Sequence, residues 1–133
     1  QNLKRRAEQV ACLKFQNDLK AAIEGIASDF GSVKRKDLQL CSDYTQACFV
    51  ESYESFDRNN IQSNLNIIDP ILRDRIASNP DRNVFLIKDV AKESFYAGKI
   101  SVEFDVYCIN STNGRISLRL EGKGNRAFLS KWG

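Results

Sequence analysis

Histidine is absent from this chain, and so is methionine. Without histidine the commonest general base and metal ligand is missing, so neither a Ser–His–Asp triad nor a Cys–His zinc site can form. No GxSxG elbow occurs, which removes the common serine hydrolases. No GxxxxGK[ST] loop occurs either. No stretch approaches the ~20 apolar residues that carry a helix across a bilayer, and no signal-peptide pattern opens the chain. Internal repeats and low-complexity segments are also lacking. The 133 residues read as one domain, with 42% hydrophobic and 28% charged residues and enough length for a proper core. Because Gln1 stands first, the chain reads as a fragment or a processed form.

What is present begins with an even set of cysteines, Cys12, Cys41, Cys48 and Cys108. None forms a CxxC pair, so a four-cysteine zinc site is disfavoured by spacing. Disulfides are the better account, and they imply an oxidising, extracytoplasmic location. Four cysteines allow three pairings. Cys12 falls on the apolar side of a helix and Cys108 on the apolar side of a strand. Those faces should meet, which favours Cys12–Cys108 and leaves Cys41–Cys48 to close a short loop. Asn110-Ser111-Thr112 is an N-glycosylation acceptor pattern beside a turn, marking Asn110 as a glycosylation candidate.

The net charge of +3 is small, but its distribution is uneven. Residues 1–36 carry eight Lys/Arg and four Asp/Glu, residues 37–114 carry seven and twelve, and residues 115–133 carry five and one. Basic ends thus flank an acidic middle. Arg115, Arg119, Lys123 and Arg126 share one outer face near the end and could bind an anionic polymer. Exposed aromatics for base stacking are few there, since Phe128 and Trp132 read as core or terminal packing, which argues against nucleic acid. Gly122-Lys-Gly-Asn-Arg126 does not open a helix, so it reads as a strand connection rather than a phosphate loop. Carboxylate pairs such as Glu51/Glu54 and Asp74/Asp81 fall where solvated charge is expected. The chain reads as a non-enzyme without a metal or cofactor.

The local patterns predict an α+β domain: a long N-terminal helix packed on an antiparallel sheet, with one short inserted helix. Residues 1–30 form a helical spine and 32–133 are mainly antiparallel sheet. Leu3, Ala7, Val10/Ala11, Phe15, Leu19, Ala22/Ile23, Ile26 and Phe30 recur at helical spacing. Gly31 is placed to stop this helix, and Gly25 inside it points to a close neighbour. Ser32–Leu40 reads as a strand, Cys48–Val50 as another, and residues 52–66 as loop. Asp69-Pro70 signals a helix start, with Ile68, Leu72 and Ile76 on one face and Asn79-Pro80 ending it. Val84–Ile87 and Phe95–Ile100 are strand candidates, and Ala127–Leu129 adds a last one. Val102–Cys108 and Ile116–Leu120 alternate cleanly and are expected to pair as a hairpin. A three-residue loop at Thr112-Asn113-Gly114 would keep its apolar face intact by setting Cys108 opposite Leu118.

Several strings carry a resemblance. They are Phe15-Gln-Asn-Asp-Leu-Lys20, Ile23 through Lys34, Cys48-Phe-Val-Glu51, Asp69-Pro70, Asn83-Val-Phe-Leu-Ile87, Phe95 through Ile100, and Gly114 through Gly124. They resemble small archaeal secreted proteins of uncharacterised function that carry an N-terminal membrane helix, type IV pilin-like in plan. The resemblance covers most of the chain and brings no activity with it. It implies a membrane-anchored extracytoplasmic protein, with a structural or adhesive role in the envelope or a filament. Its partners would be copies of itself or other envelope proteins, and the membrane through a segment upstream of Gln1. Gln1-Asn-Leu-Lys-Arg-Arg6 is polar where a mature pilin is strongly apolar. The alternative is a soluble module that binds an anionic polymer through the basic last hairpin.

Overall fold

The computed structural model describes residues 2–52, 57–59, 61 and 69–133, with side chains described from Val10 onward within the first helix. The expected Leu3 and Ala7 contacts, Glu54, Ile68 and most of the 52–66 loop lie outside the described residues. The fold is α+β. Its elements are α1 (Asn2–Ala27), β1 (Val33–Gln39), β2 (Gln46–Val50), α2 (Pro70–Ser78), β3 (Val84–Lys88), β4 (Val90–Phe95), β5 (Ile100–Val102), β6 (Val106–Asn110), β7 (Arg115–Gly122) and β8 (Ala127–Lys131). The strands form two four-stranded sheets rather than one. The first runs β1-β7-β8-β5 and the second β4-β3-β2-β6. All pairings are antiparallel except β5 with β8.

One apolar core joins the inner faces of both sheets to α1. From α1 it takes Cys12, Phe15, Leu19, Ala22, Ile23 and Ile26. The first sheet supplies Leu38, Ile116, Leu118, Leu120 and Leu129, and the second supplies Ala47, Phe49, Val84, Leu86 and Ile109. The Phe15 ring meets Phe95 edge-on at 6.0 Å. A second core lies behind the second sheet, where α2 covers Cys48, Val50, Phe85, Ile87, Val106 and Cys108 with Leu72 and Ile76. The second sheet is therefore buried on both faces, and β2, β3 and β6 read as nearly continuous apolar runs. The outer face of the first sheet joins neither core, so β7 keeps a strict polar/apolar alternation.

Three expectations are corrected. Among the described side chains the buried stripe of α1 runs from Cys12 to Ile26: Val10, before it, is 64% exposed, and Phe30, beyond the helix end at Ala27, is 79% exposed. The strand expected over Val102–Cys108 is two strands, since the chain leaves the first sheet at Val102 and enters the second at Val106. Exposed Phe104 turns the corner with φ +63°. Hence β6 and β7 do not form a hairpin. Asn113 and Gly114 both take positive φ in a two-residue turn closed by Arg115 N–H donating to Thr112 O at 3.0 Å. The three-residue loop was required only if both strands shared one sheet. Likewise, the Phe95–Ile100 candidate is not one strand: Phe95 ends β4, Ile100 opens β5, and residues 96–99 connect them.

The close approach lies at Gly122, not at Gly25, which has nothing within 4 Å of a built Cβ. A Cβ on Gly122 would collide with the carbonyl oxygens of Ile26 and Asp29. Three hydrogen bonds lock this junction. Gly124 N–H donates to Ala27 O, Gly31 N–H to Gly122 O and Gly122 N–H to Ser32 O, each at 2.9 Å. The glycine-rich connection thus satisfies the Ala27 carbonyl at the end of α1, and Ile26 O accepts from Asp29 N–H at 3.0 Å. At α2 the expected cap is present, with Asp69 Oδ1 accepting from Ile71 N–H at 3.0 Å.

Urea unfolding should separate the two glycines. Gly122→Ala is expected to lose about 2 kcal/mol or more, whereas Gly25→Ala is expected to gain about 0.5–1 kcal/mol from helix propensity. Equal effects would contradict the junction described.

Candidate functional site

The four cysteines form Cys12–Cys41 and Cys48–Cys108, which corrects the pairing expected from the sequence. Cys12 and Cys41 belong to the core shared with α1, while Cys48 and Cys108 belong to the core under α2. Each expected pair would have joined opposite sides of the second sheet. Cys48 and Cys108 face each other directly in the β2–β6 register, with Cα atoms 4.0 Å apart. Ser111 N–H donates to Thr45 O, and Glu51 N–H to Asp105 O. Hydrogen-bonded pairs therefore fall on odd positions of β2. Cys48 sits in a non-hydrogen-bonded pair, where side chains approach most closely. The enclosed separations of 29 and 60 residues correspond to roughly 3.5 and 4 kcal/mol of denatured-state restriction on the chain-entropy account.

Glu93 lies beside the Cys12–Cys41 bridge, with the two sulfurs and a carboxylate oxygen within 4.8 Å of one another. Disulfide sulfurs are not thiolates, so this group offers no thiolate ligand set for a metal. Glu93 Oε2 is buried without a hydrogen-bond partner. Burial, and then the Glu93 carboxylate, push the neighbouring Tyr44 hydroxyl above its ordinary value.

The structure gathers three of the four expected basic residues more tightly than the fourth. Arg115 and Arg119 lie on the outer face of β7, and Lys123 follows in the turn. Pairing brings β1 beside them, with Arg35 opposite Arg119 and Asp37 opposite Ser117. β8 adds Phe128, Ser130 and Trp132, since Phe128 pairs with Glu121 and Ser130 with Arg119. Trp132 N–H donates to Ser117 O at 3.0 Å. Arg35 was missing from the sequence-based face because β1 and β7 are far apart in the chain, whereas Phe128 and Trp132, expected as core or terminal packing, lie in the outer row beside β7.

Charges on this face are interlaced. Asp37 accepts from Ser117 Oγ at 2.6 Å and from Arg35 Nε at 3.0 Å. Glu121 accepts from Arg119 and Lys123, each at 3.1 Å. The Arg35 guanidinium lies 5.7 Å from the Trp132 ring centre, and the Lys123 ammonium 5.6 Å from that of Phe128. Strands β1, β7 and β8 with the 123–126 turn carry eight Lys/Arg and two Asp/Glu, a net of +6 in a chain whose total is +3. Lys34, Lys36 and Lys131 share the register rows of Leu120 and Leu118 on the inner side, so the outer face with its turn holds five of these cations against the two carboxylates, a net of +3.

Arg126 stands at the β5 edge of this face. Its Nε donates to Ser101 Oγ at 2.7 Å, and Ser101 Oγ donates to buried Glu51 Oε2 at 2.8 Å. Glu51 also accepts from Val102 N–H at 3.1 Å. Glu51 and Arg126 border a cleft of about 570 Å³ that also takes in Arg58, Tyr96 and Lys99. Much of its polar lining is committed to the fold. Asn83 binds Ser52, Ala97 and Gly98, and Arg58 holds the carbonyls of Ile76, Asn79 and Arg82. Asp74 and Asp81, considered as a carboxylate pair, are both exposed. Asn110 is exposed at the end of β6, where its side-chain oxygen accepts from Gln46 Nε2 at 3.0 Å.

No protein-family model, curated protein or solved structure matches this chain.

Proteolysis without reduction, read by mass spectrometry, should give peptides joined through Cys12–Cys41 and Cys48–Cys108; a Cys41–Cys48 peptide would refute the arrangement. A second expectation concerns the exposed sheet face. The Ser117 hydrogen bond, then Arg35, holds the Asp37 carboxyl below its ordinary value of 3.8. Lys123, then Arg119, does the same for Glu121 below 4.5. Both carboxyls are depressed, so the stability they give is present above the ordinary carboxylate range and is lost as pH falls through the lowered values. Carboxyl NMR titration should show Ser117→Ala moving Asp37 up towards its ordinary value while Glu121 stays unmoved.

Proposed function

We propose that this chain is a non-enzymatic, extracytoplasmic structural or adhesive module, pilin-like in plan and built into an envelope or filament. The two disulfides support an oxidising, extracytoplasmic setting. The observation that carries the reading is the way α1 is held. Its buried stripe belongs to the main core, Cys12–Cys41 ties it at one point, and the β7–β8 turn closes on its C-terminus. A helix held so rigidly suits the carriage of a domain on a segment upstream of Gln1. Among the described residues no helix is long and apolar enough to cross a membrane, so the anchor in this reading is that upstream segment.

The polarity of the first sheet supports a second, compatible reading, in which the module engages an anionic polymer through this basic face. The sequence placed that face on a hairpin of β6 and β7. The strands that carry it are β1, β7 and β8.

Cell fractionation tests the principal reading. With the full-length gene product in intact cells, a membrane-impermeant amine-reactive biotin should label the protein, and it should stay in the membrane fraction through carbonate washing. An unlabelled soluble pool with four free thiols would sink the proposal.

A further inference from the structure

We propose that the outer face of the first sheet is a binding strip for an acidic polysaccharide, with Phe128 and Trp132 as ring platforms and Arg35, Arg119 and Lys123 as carboxylate partners. This deepens the anionic-polymer reading and rests on it.

The strip is defined by register. Phe128 and Ser130 lie on one face of β8 and Trp132, just past its end and bonded to Ser117, continues the row, with the small serine between the two aromatics. Four residues of extended chain place the rings about 13–14 Å apart, and the neighbouring β7 row runs about 5 Å to the side. The aromatics thus stand at two ends of a shallow track, and Arg119 stands beside the serine at its middle. Cations lie against both rings, so each platform couples an apolar surface to a positive charge. A sugar ring bearing a carboxylate presents both complements: C–H groups for the aromatic and an anion for the guanidinium or ammonium.

The carboxylates of the face select among polyanions. Asp37 and Glu121 lie within the basic strip and remain ionised through their neighbours. They repel the anionic groups of every polyanion, and a phosphodiester backbone offers them only acceptors along its length. A polysaccharide also carries hydroxyl donors, and ionised carboxylates amid serines accept them. The disulfides add the compartment, since extracytoplasmic surfaces are where such polymers lie.

The test uses the oxidised chain and three probes: a uronic-acid oligosaccharide, its methyl ester, and single-stranded DNA of matched charge. Trp132 is the single tryptophan of the chain, so its emission reports on the strip directly. The uronate oligosaccharide should shift this emission and bind with an affinity that falls several-fold between low and physiological salt. The methyl ester should fail to bind. Phe128→Ala and Arg119→Ala should each weaken binding about tenfold, as loss of one ring or charge-assisted contact implies. Trp132→Ala, read by calorimetry, should do the same, and Trp132→Phe should retain binding. Circular dichroism confirms that each variant is folded, and Arg35→Ala provides a second test at an exposed position. DNA bound as tightly as uronate, with Trp132→Ala without effect, would overturn the polysaccharide assignment and leave the general anionic reading standing. Failure of every polyanion to bind would overturn both.

Discussion

The constraint on which the rest depends is the junction at the end of α1. A helix with one apolar stripe has to stop where the chain must turn back into β1, and its last carbonyls need donors. The β7–β8 turn supplies one, from Gly124 N–H to Ala27 O, more than ninety residues later in the chain. Only a residue without Cβ lets the backbone of Gly122 pass so close to Ile26 and Asp29. Register follows from this contact. Fixing Gly122 against Ser32 fixes β1 on β7, and that pairing sets every side chain of the first sheet to its face.

Coverage of the sheets then decides their chemistry. The second sheet has the α1 core on one side and α2 on the other, so its strands are apolar on both faces. The first sheet has α1 on one face and none of the described elements on the other. Its outer positions are free to be charged, and they carry the net positive charge of the molecule. The bridges follow the same division, with Cys12–Cys41 on the α1 side of the second sheet and Cys48–Cys108 on the α2 side.

Much of this was legible in the sequence where the signal is local. The α1 stripe from Cys12 to Ile26, the Asp69-Pro70 cap, β1, β3 and the alternation of β7 all depend on spacing within one element. What was not legible depends on which element neighbours which. Val102, Phe104, Val106 and Cys108 alternate as one strand would, yet Phe104 is the corner between two sheets. Nothing local distinguishes an alternating strand from two short strands joined by an alternating corner. From that single misreading came the hairpin, the loop length and the Cys12–Cys108 pair. A usable clue lay in the composition: Val-Tyr-Cys-Ile and Val-Phe-Leu-Ile are apolar on both sides, as doubly covered strands are, whereas Arg-Ile-Ser-Leu-Arg-Leu is not. Strands of such different pattern belong in different sheets.

The basic face shows the same limit. Arg115, Arg119 and Lys123 were visible as a group because they lie within nine residues of one another. Arg35 was not, because β1 joins that group only through pairing, and Trp132 read as terminal packing because nothing local shows which face it takes. Their arrival changes the character of the surface. A line of cations alone would attract any polyanion, chiefly through counterion release. Cations held against aromatic rings and interlaced with carboxylates discriminate, because each attraction is matched by a nearby repulsion that the wrong ligand cannot avoid. Interlacing also lowers self-repulsion within the sheet, which lets a strongly basic face coexist with a folded core.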